Sequence, residues 1–280
     1  MYFGRWLARF VSTLYLVATP IGNFDDITIR ALRVLAEASL IAAEDTRSAR
    51  RLLDHFEIKA RVTSYNEHNK IAKTPAILDA LAAGDVAVVS DAGMPGISDP
   101  GYDLVVAALA AGHGVVPIPG ASAVLAAVAA SGLPSRRFYY LGFLPRQSGP
   151  RRRALADAAA CGDTLVAFES PHRVVATMTD ALAALGDRRI AVCRELTKLY
   201  EEIWRGQISE ALTHFANPRG EFTLVIEGGA APSPDDAPAD VPSIIATLKA
   251  EGLGAKDGVA ALMKRAKLSR RAAYAAWHKS

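Results

Sequence analysis

Residues 86–101 read VAVVSDAGMPGISDPG, a run of uninterrupted apolar residues that passes directly into a loop of Gly, Pro and Asp. A strand with no polar face has to be covered on both sides, as in a parallel sheet sandwiched between helices. The loop Ser90 to Gly101 then falls at the carboxyl end of that strand, where open α/β sheets bind their ligands. Its neighbours repeat the pattern: Leu14 to Ala18, Leu40 to Ala43, Arg61 to Tyr65 and Gly114 to Ile118 read as strands. Helical patterns separate them at Ile27 to Ala38, Asp45-Thr46 to about Phe56, Thr74 to Ala83, Gly101 to Ala111 and Ser122 to Ala130. Fifty-three alanines in 280 residues favour those helices.

Leu133-Pro134-Ser135 punctuates the chain near its middle, and the spacing changes beyond it. Strands are expected at Phe138 to Phe143, Thr164 to Phe168, Arg189 to Cys193, Glu201 to Gly206 and Glu221 to Ile226, and helices at Arg151 to Ala160, His172 to Leu185 and Ser209 to Phe215. Two consecutive strands after Glu195 point to a more antiparallel sheet. Gly228 to Pro242 holds four prolines and three aspartates, a composition that reads as a linker. Three short helical patterns follow. The expected organisation is an extension at 1–11, α/β domains at 12–133 and 134–229, a linker at 230–241 and a basic helical domain at 242–280.

The formal net charge of +3 conceals an asymmetry, because 241–280 carry eight Lys or Arg against two acids. That leaves a body at −3 and a tail at +6. Cys161 and Cys193 are too few for a disulfide framework and lack metal-ligand spacing, so both are expected as small core residues of a reduced protein without a structural metal. No cleavable leader pattern and no run of roughly 18 apolar residues occurs, which points to a soluble, cytoplasmic chain and no membrane partner.

Thr19 to Asn23 and Pro117 to Ser122 are two further Gly/Pro loops at strand ends. With Ser90 to Gly101 they would floor a crevice with backbone groups, and Asp91 offers a carboxylate to hydroxyl or amino groups. The loop at Ser90 lacks the Lys-Ser/Thr ending of a phosphate-binding loop and is not G-x-G-x-x-G, which weakens nucleoside triphosphate and dinucleotide readings.

Taken in order, LYLVATPIGN, AEDTR, SYNEHN, VSDAGMPGISDPG, PIPGAS, FESPHR and CRELTKLYEE resemble the tetrapyrrole methylase family, and within it the branch that acts on ribosomal RNA. The resemblance covers Leu14 to Gly229 and extends to the helical tail. It implies an α/β fold of two tetrapyrrole-methylase-type domains with the cofactor crevice between them, plus a small C-terminal helical domain. The implied reaction transfers a methyl group from S-adenosyl-L-methionine to the ribose 2′-hydroxyl of a cytidine in the decoding region of 16S rRNA. The implied partners are 16S rRNA or the small ribosomal subunit and a second copy of the chain, as a homodimer. Carried over residue by residue, the cofactor is expected at Pro20 and Gly22, at Asp91, Ala92, Gly93, Pro95, Ile97 and Ser98, at Ala121 and Ser122, and at Phe168, Leu196 and Thr223. A small-molecule tetrapyrrole methylase and a non-catalytic RNA-binding factor are the competing readings, and the first would not be expected to carry Glu44 to Arg47 with Asn66 to Asn69 and gives no role to the tail.

A sulfonium methyl is already activated, so the protein has to align it with the hydroxyl and help remove a proton. Glu44, Asp45, Glu67 and His68 are the candidate catalytic residues, although Asp45 also reads as a helix N-cap. Arg47, Arg173 and Lys198 are expected to meet RNA phosphate, with the cofactor carboxylate an alternative for Arg173 and a cation that lowers the hydroxyl's pKa an alternative role for Arg47 and Arg173. Arg151 and Arg152 start a helix, where positive charge opposes the dipole unless an anion compensates it, and RNA phosphate is the expected anion. In the tail, Lys264, Arg265, Arg270 and Arg271, beside Tyr274 and Trp277, make up the expected nucleic-acid surface.

Overall fold

The computed structural model describes residues 12–229, 241–266 and 270–279, in two compact units that divide at Gly228 and Gly229. The N-terminal extension and residues 230–240 of the linker lie outside the described residues. The first half of the larger unit contains β1 (Thr13–Val17), α1 (Ile29–Glu37), β2 (Leu40–Ala43), α2 (Thr46–His55), β3 (Val62–Ser64), α3 (Lys70–Ala83), β4 (Val86–Val89), α4 (Tyr102–Ala110), β5 (Gly114–Ile118) and α5 (Ala123–Ser131).

All five strands are parallel, in the order β3-β2-β4-β1-β5. Alternate residues face opposite layers. Val17, Ile41 and Val89 meet Val34, Leu35, Leu52 and Leu53 of α1 and α2, whereas Leu14, Ala42 and Val88 meet Ile77, Leu81 and Leu104 of α3 and α4. Every residue of β4 is buried, as its unbroken apolar sequence requires. The neighbouring strands β1 and β4 send their following helices, α1 and α4, to opposite faces of the sheet, the arrangement at which open α/β sheets bind ligands.

The second half contains β6 (Phe138–Phe143), α6 (Ser148–Ala159), β7 (Thr164–Glu169), α7 (Val174–Leu185), β8 (Arg189–Arg194), β9 (Glu202–Gln207), α8 (Ile208–His214) and β10 (Phe222–Ile226). Its sheet runs β6-β7-β10-β8-β9, with β6 parallel to β7 and the other pairings antiparallel. Leu155, Met178 and Ile208 of α6, α7 and α8 close one face. The other face is closed by α5, whose Val124, Ala127 and Val128 pack on Val166, Ala191, Cys193 and Val225. A helix that belongs to the first half by chain order therefore builds the core of the second.

Two helices begin earlier than their sequence pattern suggests. α3 starts at Lys70, whose amide bonds to the Asn66 carbonyl at 2.9 Å, and it accommodates Pro75 inside. α6 starts at Ser148, so Pro150 occupies the first turn, where no amide donor is needed. Of the two cysteines, Cys193 is buried and Cys161 is exposed, against the expectation that both sit in a core; Cys161 falls just past the end of α6, beyond the last packed turn.

The smaller unit has α9 (Val241–Ala250), α10 (Ala255–Ala266) and α11 (Arg270–Lys279) around Ile245, Leu248, Val259, Leu262, Ala273 and Trp277. Among the described residues no helix is long and apolar enough to cross a membrane.

Candidate functional site

The loops after β1 and β4 are tied together before any side chain is considered. Thr19 and Gly93 exchange both backbone hydrogen bonds, at 2.9 and 3.0 Å, and the Thr19 hydroxyl donates to the Ser90 carbonyl at 3.2 Å. Gly93 and Gly96 have φ of +76° and +86°, and Ser98 holds a φ of +64° without being glycine. Strain of that kind persists only where the surroundings fix it, and it gathers at functional sites.

This loop forms one wall of a cavity of about 710 Å³, within the size range of small-molecule sites. The second sheet supplies the facing wall, from Phe138, Tyr140 and Phe143 of β6, Phe168 of β7 and Thr223 of β10. Tyr140 and Phe168 meet edge to face at 5.3 Å between centroids. The Ser98 hydroxyl and the Tyr140 phenol hydrogen-bond across at 2.8 Å.

Carboxylates gather on the first-sheet side. Glu44 directly follows β2, and its carboxylate accepts from the Asp91 amide at 3.3 Å. Burial, followed by the nearby charges of Asp91 and Asp45, raises the Glu44 pKa in spite of that hydrogen bond. Asp99 is pushed up to about 6, chiefly by burial and then by Glu44 and Asp91, against a hydrogen bond from Ser90. Burial also holds the Cys193 thiol at about 11, which keeps it protonated and unreactive near neutral pH.

Of the residues expected at the cofactor, Asp91, Ala92, Gly93, Ile97, Ser98, Ser122, Phe168, Leu196 and Thr223 line the cavity. Pro20 and Pro95 are buried beneath its loops, and Ala121 with Ser122 faces an adjoining depression of about 560 Å³. Gly22 lies against the stem of Lys198, where a Cβ would come within 2.4 Å of a side-chain carbon. Its value is close approach to that lysine.

The four candidate catalytic residues separate. Glu44 lines the cavity. Asp45 does not; its carboxylate caps α2 through the Arg47 amide at 2.8 Å and pairs with the Arg47 guanidinium, which holds its pKa down at about 2. It is therefore corrected to a structural cap, too weak a base for the task. Glu67 and His68 stand exposed on the turn that starts α3, outside the cavity lining. Asn66 fixes that turn by accepting from the His68 and Asn69 amides at 3.2 Å each, while Glu67 pairs with Lys70 at 2.8 Å.

Among the basic residues, one expectation is overturned and the other described ones meet carboxylate partners. Arg151 is buried, with its guanidinium on Asp180 at 2.5 and 2.8 Å, so it is not available to RNA. The anion that offsets charge at the start of α6 is internal: Asp180 also takes the Arg152 Nε at 2.6 Å and the Ser148 hydroxyl at 2.8 Å. Arg173 donates to the Leu144 carbonyl at 2.6 Å and pairs with the buried Glu169 at 3.3 Å. Lys198 sits between Glu195 and Glu221, 2.9 Å from each. Arg47 is exposed but paired with Asp45. In the tail Arg265 is exposed, 3.5 Å from Glu251, while Trp277 is a core residue beneath Lys249. The side chains of Lys264, Arg270 and Arg271 lie outside the described residues.

Sequence reading missed Asp99, Tyr140 and Phe143 as members of the site. Asp99 lies inside the quoted loop motif, where its partner in space, Glu44, is far away in sequence. The two aromatics are ordinary strand residues until the facing sheet is known.

Comparison with known proteins adds relatives. A family model described as tetrapyrrole (corrin/porphyrin) methylases matches residues 13–212. The chain is 53% identical over 220 residues to the ribosomal RNA small subunit methyltransferase I of Halalkalibacterium halodurans, covering 77% of this chain and 76% of that one. It is 45% identical over 269 residues to the protein of the same name from Synechocystis sp., covering 93% and 95%. Among solved structures, a diphthine synthase aligns with a TM-score of 0.63 at 15% identity, covering 78% of this chain and 90% of that one. The uroporphyrin III C-methyltransferase of Thermus thermophilus aligns at 0.55 and 20%, covering 77% and 97%. At those identities the likeness is one of fold.

Proposed function

The chain belongs to the tetrapyrrole methylase family of S-adenosylmethionine-dependent methyltransferases, and we propose that it methylates the ribose 2′-hydroxyl of a cytidine in the decoding region of 16S rRNA. The high identity to relatives named as small-subunit rRNA methyltransferases, sustained over almost the whole length of the Synechocystis protein, supports the RNA as substrate. The observation that carries the reaction is the cavity itself, with Glu44, Asp91 and Asp99 on one wall and the rings of Tyr140, Phe143 and Phe168 on the other.

That lining fits the cofactor's chemistry. The bound cofactor supplies a methyl group already activated by a sulfonium. Asp91, Asp99 and Glu44 complement cationic sulfonium and ammonium groups, while Phe168, Leu196 and Thr223 offer an apolar wall and backbone groups to a purine. The loop from Ser90 to Gly101 excludes water from one side. Glu44, in the cavity and with a raised pKa, is the side chain suited to accept the hydroxyl proton at its carboxylate oxygen. Glu67 and His68 stand at the carboxyl edge of the same sheet, where they suit contact with RNA outside the cavity. Assembly as a homodimer, with 16S rRNA or the small subunit as partner, completes the reading.

The test is transfer of labelled methyl from S-adenosylmethionine to purified small subunits and to naked 16S rRNA, followed by mapping of the modified nucleotide. Label at a ribose of one decoding-region cytidine is expected. Label on a base, or on a tetrapyrrole with none on RNA, would overturn the reading.

A further inference from the structure

We propose that Phe143 is the stacking surface for the base of the nucleotide whose ribose is methylated, an assignment that rests on the RNA-methylating reading above. Along β6, Phe138 and Tyr140 face the cavity, and Leu141 packs into the opposite core with α6 to α8. Simple alternation would send Gly142 to the cavity and Phe143 into that core.

The strand does not alternate simply. Tyr140 pairs with Val166 and Phe143 with Phe168, so three steps on β6 oppose two on β7. The extra residue is a β-bulge, a device that re-aims side chains beside functional sites. Gly142 enables it with a φ of +61°, and a Cβ there would stand 3.2 Å from the Ser98 hydroxyl oxygen. Phe143 is thereby turned out of the core and onto the cavity wall, where the residue remains 59% exposed.

Two aromatic positions result, at different depths. Phe168 is half-buried between Tyr140 and Phe143, at 5.3 and 5.7 Å, and suits the enclosed cofactor. Phe143 is the outer ring, and the same cavity is lined by Ile97 and Leu125, which are 52% and 59% exposed. Whatever meets it arrives from solvent. A nucleotide whose ribose enters this cavity has to leave its own stack, and an aromatic face at the mouth replaces that lost stacking. Stacking suits any base, so Phe143 contributes affinity and register more than choice of base.

The experiment compares wild type with Phe143→Ala and Phe143→Tyr. Initial rates are measured on small subunits or 16S rRNA, S-adenosylmethionine affinity by calorimetry, and mass by light scattering. Phe143→Ala is expected to lower kcat/KM for RNA about 5- to 150-fold, the range that loss of one stacked base gives, with cofactor affinity and mass unchanged. Phe143→Tyr is expected within about threefold of wild type, because the ring is kept. An unchanged kcat/KM in Phe143→Ala would overturn the assignment. A matching loss of cofactor affinity would give the ring to the cofactor's adenine instead, and a change of mass would give it to a subunit interface; either result also overturns it. Wild type that binds the cofactor yet labels no RNA would refute the RNA reading itself, a different outcome.

Discussion

The hydroxyls of Ser98 and Tyr140 lie 2.8 Å apart and join the loop after β4 to the first strand of the second sheet. Ser98 holds a left-handed backbone to reach that position. One cavity wall is thereby pinned to the other. Tyr140→Phe keeps the ring against Phe168 and removes the bond, which contributes on the order of 0.5–1.5 kcal/mol. Calorimetry should find S-adenosylmethionine bound roughly 2- to 10-fold more weakly, with the melting temperature little changed. Equal affinity would make the bond irrelevant to the cofactor.

Asp99 provides a pH signature. Its folded pKa of about 6 lies above an unfolded value near 3.8, so the folded state binds the extra proton between them. Its effect on stability therefore runs against the usual carboxylate: the fold loses stability as pH rises from about 4 through 6. Asp99→Asn should raise the melting temperature at pH 8 and leave it nearly unchanged at pH 4. A cationic cofactor prefers the ionised carboxylate, so affinity should fall as pH drops below about 6 in wild type and flatten in Asp99→Asn. Parallel pH profiles for the two proteins would count against Asp99 facing the cofactor.

Much of the first sheet is written in local pattern. The unbroken apolar run of β4 specifies a strand covered on both faces, and the loops after β1, β4 and β5 fall at one edge because parallel strands share a direction. Partners in space are harder to read. Nothing near Arg151 in sequence announces Asp180, and a buried arginine at a helix start looks the same as an exposed one. Gly142 carries no sign that its strand gains a residue there, since a bulge depends on register with β7. Asp45 was legible in both roles, and only the position of Arg47 decides for the cap.

Arg151 and Asp180 give a prediction that separates stability from RNA contact. Burial would raise the Asp180 pKa, but hydrogen bonds from Arg152, Ser148 and Arg151 outweigh it and hold the value below the usual carboxylate range. Its contribution is complete above the unfolded pKa and is lost as pH falls through the folded one. Asp180→Ala strands a buried guanidinium and should cost about 3–5 kcal/mol in denaturant unfolding at pH 7. Arg151→Ala should likewise lower stability, with RNA affinity per folded molecule unchanged. A variant of wild-type stability that binds RNA less tightly would restore Arg151 to the RNA surface.

Glu44, Glu67 and His68 are expected to act on different kinetic parameters. Glu44→Gln keeps the cavity's shape and removes its best-placed base, so kcat should fall by about 10²- to 10⁴-fold while the cofactor still binds. Glu67→Ala and His68→Ala lie outside the lining and should raise KM for RNA with little change in kcat. Single-turnover rates at saturating cofactor make the distinction. A collapse of kcat in His68→Ala with Glu44→Gln active would move the base to the turn before α3.

The charge asymmetry of the chain leads to the last prediction. The larger unit is compact up to Gly228, and the cavity is formed entirely within it, so a chain truncated after Gly228 should keep its cofactor affinity. Residues 241–280 carry a net +6 outside that unit. Each lysine or arginine that neutralises a phosphate releases counterions, so the log of affinity falls with the log of salt in proportion to the number of contacts. Truncation should therefore weaken RNA binding most at low salt and reduce the slope, by roughly 0.7–0.9 for each lost contact. Binding titrations of both chains at several salt concentrations decide it. Superimposable slopes would mean that the tail's charge makes no phosphate contact, and that the larger unit holds the RNA unaided.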